Sequence, residues 1–246
     1  MSDDFEIVLV DLPPDLEVAA RRASRLSGIP LAKFITEALI EKIAALDLGS
    51  QPMKSIPRHR CLLYEGSPSR QLPALAAVMC QKIEENYHCL YLNSPAMVAG
   101  MGSYLAARGR DVLEDSKQGR LVLSSEQHNS MDGCFDVDAM LRGLEDALEQ
   151  ALKDGYKGLW ASGDMSWEFG QAKDFSRLLE YEWRLEEFFQ KHPELEGICQ
   201  YHADTLPPAA IKQGLLTHPS IFVSETLSLV NPQYRPRDSA GISTSA

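Results

Sequence analysis

Two periods of apolar residues alternate along most of the chain. From residue 59 onward, short β-rich runs at 59–64, 88–93, 120–125, 158–163, 197–202 and 220–224 are separated by longer stretches. In those stretches, at about 69–86, 95–108, 136–154, 170–190 and 207–216, apolar residues return every three or four positions. The rhythm predicts an α/β fold: a mainly parallel sheet with helices on both faces. In such sheets ligands bind beyond the carboxyl ends of the strands, so the residues ending each run become candidates.

Residues 1–46 are patterned differently. FEIVLVDLP is strand-like and ends at Pro13-Pro14. A helical stretch follows to about Leu26, with Leu16, Ala19, Ala20 and Ala23 on one face. Ser27-Gly28 breaks it, and a second helix opens with Pro30 in its first turn. Its apolar residues Leu31, Phe34, Ile35, Ala38, Leu39 and Ile43 share one face. Residues 47–58, DLGSQPMKSIPR, have the composition of a linker. The expected organisation is a small module at 1–46, a linker at 47–58, an α/β domain at 59–234 and a disordered tail at 235–246.

Composition narrows the function classes. A net charge of −11 argues against coating nucleic acid or anionic membrane by charge alone. No apolar run approaches the roughly 20 residues of a membrane helix. The acidic start MSDDFEIV lacks the layout of a signal peptide. Five cysteines without CxxC spacing suit reduced thiols and a cytoplasmic location.

The strand-helix-turn-helix of residues 5–46 resembles the ribbon-helix-helix family of DNA-binding regulators, through VLVDLPPDL, Ser27-Gly28 and PLAKFITEALIEKI. A lone ribbon cannot bury itself, so the resemblance implies a homodimer with paired strands. Val8, Val10 and Leu12 then face the helices, while Ile7, Leu9 and Asp11 face the DNA groove. Arg21, Arg22 and Lys33 are the candidate phosphate contacts. Two aliphatics and an aspartate make a poor reading head. DNA binding and a pure dimerisation or docking role therefore both stand.

The first strand of the large domain is followed by GSPSRQLPAL. A RecA-like ATPase keeps its phosphate loop here and needs GxxxxGK[ST]. Apart from Gly66 none of it is present, which predicts no tight Mg-nucleotide binding. GLWASGD ends on Asp164 as a Walker B strand would, or simply as a helix cap.

His59-x-Cys61-x-x-Tyr64, HCLYLN, GRLVLSSEQH, GCFD, SGDMSW, LLEYEWRLEEFF, ICQYH and HPSIFV occur in this order over residues 59–234. Together they resemble the MEDS domain, the methanogen/methylotroph DcmR sensory domain. The resemblance implies a degenerate RecA/KaiC-like scaffold that senses small organic molecules in prokaryotic regulators, beside DNA-binding or kinase modules.

Tyr64, Glu65, Asn93, Glu126, His128, Asp164, Trp167 and Tyr201 close the strands and form the candidate ligand-binding set. Alternation puts Tyr201 with Cys199 and turns His202 the other way. His59 and Cys61 share a strand face, either as a metal or redox pair or as a strand-start histidine and a buried thiol. Glu182 reads as part of a salt-linked helix, and His218-Pro219 as a turn before the last strand. No hydrolase or metalloprotease signature appears, so no catalysis and no cofactor are expected beyond an unidentified small ligand or metal. The expectation is a dimeric, ligand-responsive transcriptional regulator; the alternative is a dimeric docking scaffold or signalling adaptor without DNA binding.

Overall fold

The computed structural model describes Arg21, Ser24 and residues 57–127, 135–169, 175–224 and 227–237. The chain divides into two compact units, Met1–Ser55 and Ile56–Ala246. In the first, Arg21 is helical and exposed. Ile7, Leu9, Asp11, Arg22 and Lys33 lie outside the described residues, as does His128.

In the second unit, β1 (His59–Tyr64), β2 (Tyr87–Leu92), β3 (Leu121–Ser124), β4 (Gly158–Asp164), β5 (Leu195–His202), β6 (Ser220–Ser224) and β7 (Leu227–Val230) form one sheet. Its order is β3-β2-β4-β5-β1-β6-β7. All pairings are parallel except β6 with β7. The mainly parallel α/β sheet expected from the rhythm of the chain is therefore present.

The helices are α1 (Leu72–Glu84), α2 (Pro95–Ala107), α3 (Val112–Lys117), α4 (Val137–Lys153), α5 (Met165–Glu168), α6 (Leu178–Lys191) and α7 (Pro208–Thr217). They cover both faces, and each face has its own apolar layer. Leu75, Met79, Met101 and Leu105 of α1 and α2 pack on Tyr91, Trp160 and Ile198. Met140, Leu144, Tyr181, Leu185 and Phe189 of α4 and α6 pack on Leu159, Leu195 and Cys199. The alternation of side chains along each strand feeds the two layers in turn.

Short acidic caps fix where several helices start. Asp136 accepts from the Ala139 amide at 2.9 Å and opens α4, and Asp164 accepts from the Trp167 amide at 3.0 Å and opens α5. Three elements fall outside the expected stretches, the four-residue α5 among them. α3 is one short turn-and-a-half capped by Asp111, and β7 is a four-residue strand that returns antiparallel beside β6. The helical stretch expected at 170–190 begins later, at Leu178. Residues 235–237 are joined to the body: the Arg235 amide donates to Leu216 O at 2.9 Å, and Arg237 meets Glu187 at 2.9 Å, while 238–246 lie outside the described residues.

Candidate functional site

Polar side chains concentrate in two places, on opposite faces of the central strands. The first is at the carboxyl ends of β1, β5, β4 and β2, on the α1 and α2 face. Tyr64 lies flat on His202, with ring centroids 4.8 Å apart. Its hydroxyl donates to Asp164 Oδ2 at 2.8 Å. Asp164 uses Oδ1 for the Trp167 amide and the Ser166 hydroxyl. His202 Nε2 meets the Gly66 carbonyl at 2.9 Å, which ties the loop after β1 to β5.

Beneath this pair Gln200 donates to Ser162 Oγ at 2.9 Å, and Ser162 donates to the Ile198 carbonyl at 2.7 Å. Gln71, at the start of α1, reaches Gln200 Oε1 at 3.4 Å. Asn93 donates to the Tyr91 hydroxyl at 3.0 Å. Burial raises the Tyr64 phenol above its ordinary range, and the Asp164 carboxylate adds to the rise. Tyr64 is therefore a neutral donor to a carboxylate.

Of the strand-end residues singled out in the sequence, Tyr64, Asn93, Asp164 and Trp167 belong to this region. Glu65 and Glu126 end their strands exposed. Tyr201 is placed elsewhere: it points through the opposite face, as its alternation with His202 requires. His202, not Tyr201, is the β5 residue that joins Tyr64.

The second concentration is buried under α6 and α7. His59 Nε2 lies 3.4 Å from Cys199 Sγ and 3.6 Å from Glu182 Oε2. His218 Nε2 lies 3.5 Å from the same Glu182 oxygen. One donor atom from each of these four residues falls within 4.8 Å of every other. None of the four is more than 5% exposed. Tyr201 donates to Glu182 Oε1, His59 Nδ1 meets Glu186 Oε2 at 2.9 Å, and His218 Nδ1 donates to the Gly214 carbonyl at 2.7 Å.

Local sequence explains how the parts meet. Gly214 lets α7 approach the Tyr201 ring, because a Cβ there would lie 2.5 Å from Tyr201 Cζ. Gly197 makes room for Phe189, whose ring stacks on His59 at 4.5 Å between centroids. Burial dominates the electrostatics. It pushes Glu182 up to about 8, with Glu186 adding to the rise and the Tyr201 and Cys199 groups opposing it. It lowers His59 to about 3 and raises the Cys199 thiol well above its usual range. His218 falls for the same reason, and His59 beside it adds to the fall.

Glu182 Oε2 and His218 Nε2 nevertheless have no hydrogen-bond partner of adequate geometry. Such buried polar atoms cost about 1–3 kcal/mol each when left unpaired. This refines two expectations. The helix is salt-linked through Glu180, Arg184 and Glu187, but Glu182 is buried away from those pairs, and His218 is buried beside it. The pairing of His59 with Cys61 also shifts. Both are buried on the α6 face, but the sulfur in contact with His59 is that of Cys199, opposite Cys61 on β5. The signal for Glu182 was in the sequence. Leu178, Tyr181, Glu182, Leu185, Glu186 and Phe189 make one buried stripe on α6, with two carboxylates inside it.

A small apolar cavity of about 30 Å³ adjoins Cys199, lined by Leu92, Met140, Leu144, Met165 and Phe189 among others. An open cleft of about 280 Å³ lies between α4 and α6, lined largely by charged groups such as Asp138, Arg142, Arg184 and Lys191.

Residues 58–219 match the model of the MEDS family, described as "MEthanogen/methylotroph, DcmR Sensory domain". The chain belongs to the MEDS family. The match runs from the residue before His59 to the residue after His218, so both polar clusters of the MEDS domain fall within it. No curated protein matches the chain. Among solved structures, the MEDS chain is similar to a KaiC-like protein of the hyperthermophilic archaeon Pyrococcus horikoshii, at 13% identity and a TM-score of 0.47, covering 66% of this chain and 68% of that one. Among the described residues of the MEDS chain no helix is long and apolar enough to cross a membrane.

Proposed function

We propose that this chain is a ligand-responsive prokaryotic regulator whose MEDS domain binds a small molecule at the strand ends and hydrolyses no nucleotide. The observation that carries this reading is the Tyr64–Asp164 hydrogen bond, 2.8 Å long, with Tyr64 stacked on His202. In a nucleotide-hydrolysing α/β domain the loop after the first strand holds phosphate, and a carboxylate at the end of a neighbouring strand serves the metal. Here the loop Glu65–Gln71 has no lysine, and the carboxylate is engaged by a phenol. A polar or aromatic small molecule can exchange with the Tyr64 contact, and Asn93, Trp167 and Tyr91 surround the same strand ends.

The output in this reading is the N-terminal module. Ligand favours one arrangement of the domain and so changes what a dimer of residues 1–46 binds. DNA is one such target. Ile7, Leu9 and Asp11 on the ribbon favour a second reading, in which the module dimerises and docks a protein.

The test is native mass spectrometry of the purified full chain for retained small molecules, followed by thermal shifts with each compound found. The expected result is a compound that stabilises the wild type and stabilises Tyr64→Phe and Asp164→Asn much less. Equal stabilisation of all three proteins removes the strand ends from the reading.

A further inference from the structure

We propose that His59, Glu182, Cys199 and His218 form a closed, four-coordinate site for a divalent transition ion of the zinc class. The donor atoms converge from four elements: His59 from β1, Glu182 from α6, Cys199 from β5 and His218 from the end of α7. A tetrahedral zinc with bonds of about 2.0–2.3 Å holds its donors roughly 3.3–3.6 Å apart. Three of the six donor–donor distances, His59 to Cys199, His59 to Glu182 and His218 to Glu182, are 3.4, 3.6 and 3.5 Å, and all six lie within 4.8 Å.

Outer partners orient three of the four ligands. Glu186 accepts from His59 Nδ1–H, and the Gly214 carbonyl accepts from His218 Nδ1–H. Each bond fixes the tautomer that leaves the Nε2 lone pair facing Glu182 Oε2. A carboxylate or carbonyl behind a ligating histidine is the usual support of a metal site. Tyr201 occupies Glu182 Oε1 and leaves Oε2 for the ion. The two atoms without partners, Glu182 Oε2 and His218 Nε2, are thereby both satisfied.

The donor chemistry selects the ion. Two imidazoles, a thiolate and a carboxylate suit a borderline divalent metal; calcium and magnesium want oxygen alone. A thiolate and a carboxylate also cancel the charge of a divalent ion, so the loaded site is neutral in its apolar surroundings. With every ligand buried, there is no exposed position for substrate, and the ion acts as a tie among β1, β5, α6 and α7.

The experiment uses the full chain, purified without chelators and analysed for metals by plasma mass spectrometry. It is then stripped with a strong chelator and refilled with Zn²⁺ or Co²⁺ alone. About one tightly held ion per chain is expected. Stripping should lower the melting temperature, and Zn²⁺ alone should restore it. The Co²⁺ form should show thiolate-to-cobalt charge transfer with the intense ligand-field bands of a tetrahedral site. Cys199→Ser should abolish the charge-transfer band, and Cys80→Ser should keep it. Glu186→Gln should weaken affinity by about 10–100-fold through its histidine. Negligible metal in both purified and refilled protein overturns the proposal. So does a charge-transfer band that survives Cys199→Ser or disappears in Cys80→Ser. Because Asp164→Asn changes only the strand-end cluster, it should hold the ion as the wild type does, whatever its effect on small molecules.

Discussion

The rings of Tyr64 and His202 are stacked within 9° of parallel while the Tyr64 hydroxyl donates to Asp164 on the neighbouring strand. One side chain thus links β1, β5 and β4 at the edge where an α/β domain receives its ligand. Three strands are held by a contact that is polar and only partly buried.

Removing the hydroxyl isolates that contact. Tyr64→Phe keeps the stack on His202 and deletes one hydrogen bond to a carboxylate. Asp164 retains its bonds to Ser166 and the Trp167 amide, so the loss should be about 1.5 kcal/mol, the low end for a bond to a charged group. Urea denaturation measures it. A loss several times larger would mean that the contact is a structural pillar rather than an exchangeable one.

Nucleotide should not bind tightly. The loop from Glu65 to Gln71 supplies neither the lysine nor the second glycine that phosphates require. Calorimetry with Mg-ATP should give no micromolar binding, and no phosphate should be released over hours. Magnesium-dependent micromolar affinity would contradict this.

Gly214→Ala tests the close approach of α7 to the buried cluster. The new methyl would lie 2.5 Å from a Tyr201 ring atom, and that ring is tethered to Glu182. Overpacking costs about 1–3 kcal/mol, against a helix preference of about 1 kcal/mol for alanine. A net loss of up to about 2 kcal/mol is expected in chemical denaturation. Any gain in stability would show that Tyr201 can move aside.

Light scattering of the full chain at micromolar concentration should report a dimer, because a lone ribbon leaves its strand unpaired. A monomer would end the ribbon-helix-helix reading of residues 5–46.

If that dimer binds DNA, affinity should fall gently with salt. Few basic side chains accompany Ile7, Leu9 and Asp11, so few counterions are released. A selection from random duplexes that returns one tight palindrome with a steep salt slope would contradict this assignment of the ribbon face.

Much of the fold was legible because periodicity is local. Among the described residues, six of the seven strands stand close to where short apolar runs suggested. β7 escaped because LSLV is brief and directly follows another strand, with no helix to set it apart. The strand-end cluster was partly legible, since carboxyl ends can be read once strands are placed. Tyr201 and His202 exchange roles there because neighbours on a strand face opposite layers. The buried cluster was harder to read. His59 and Cys199 sit on strands 140 positions apart, and Glu182 and His218 come from a helix and a helix end. Only packing brings them together. The hint was chemical: two glutamates inside the apolar stripe of α6.

The position of β1 has a consequence for how the protein is made. It lies between β5 and β6, pairing His59 with Gly197 and Arg60 with Ser220. Both neighbours are synthesised long after it. At about 5–20 residues per second the ribosome needs on the order of ten seconds to deliver β5. Throughout that interval the nascent chain carries a strand whose partners do not yet exist, although Cys61 and Leu62 are buried in the finished fold. Folding of the sheet centre is therefore necessarily late, and a chaperone that covers this first strand should raise the yield of native protein.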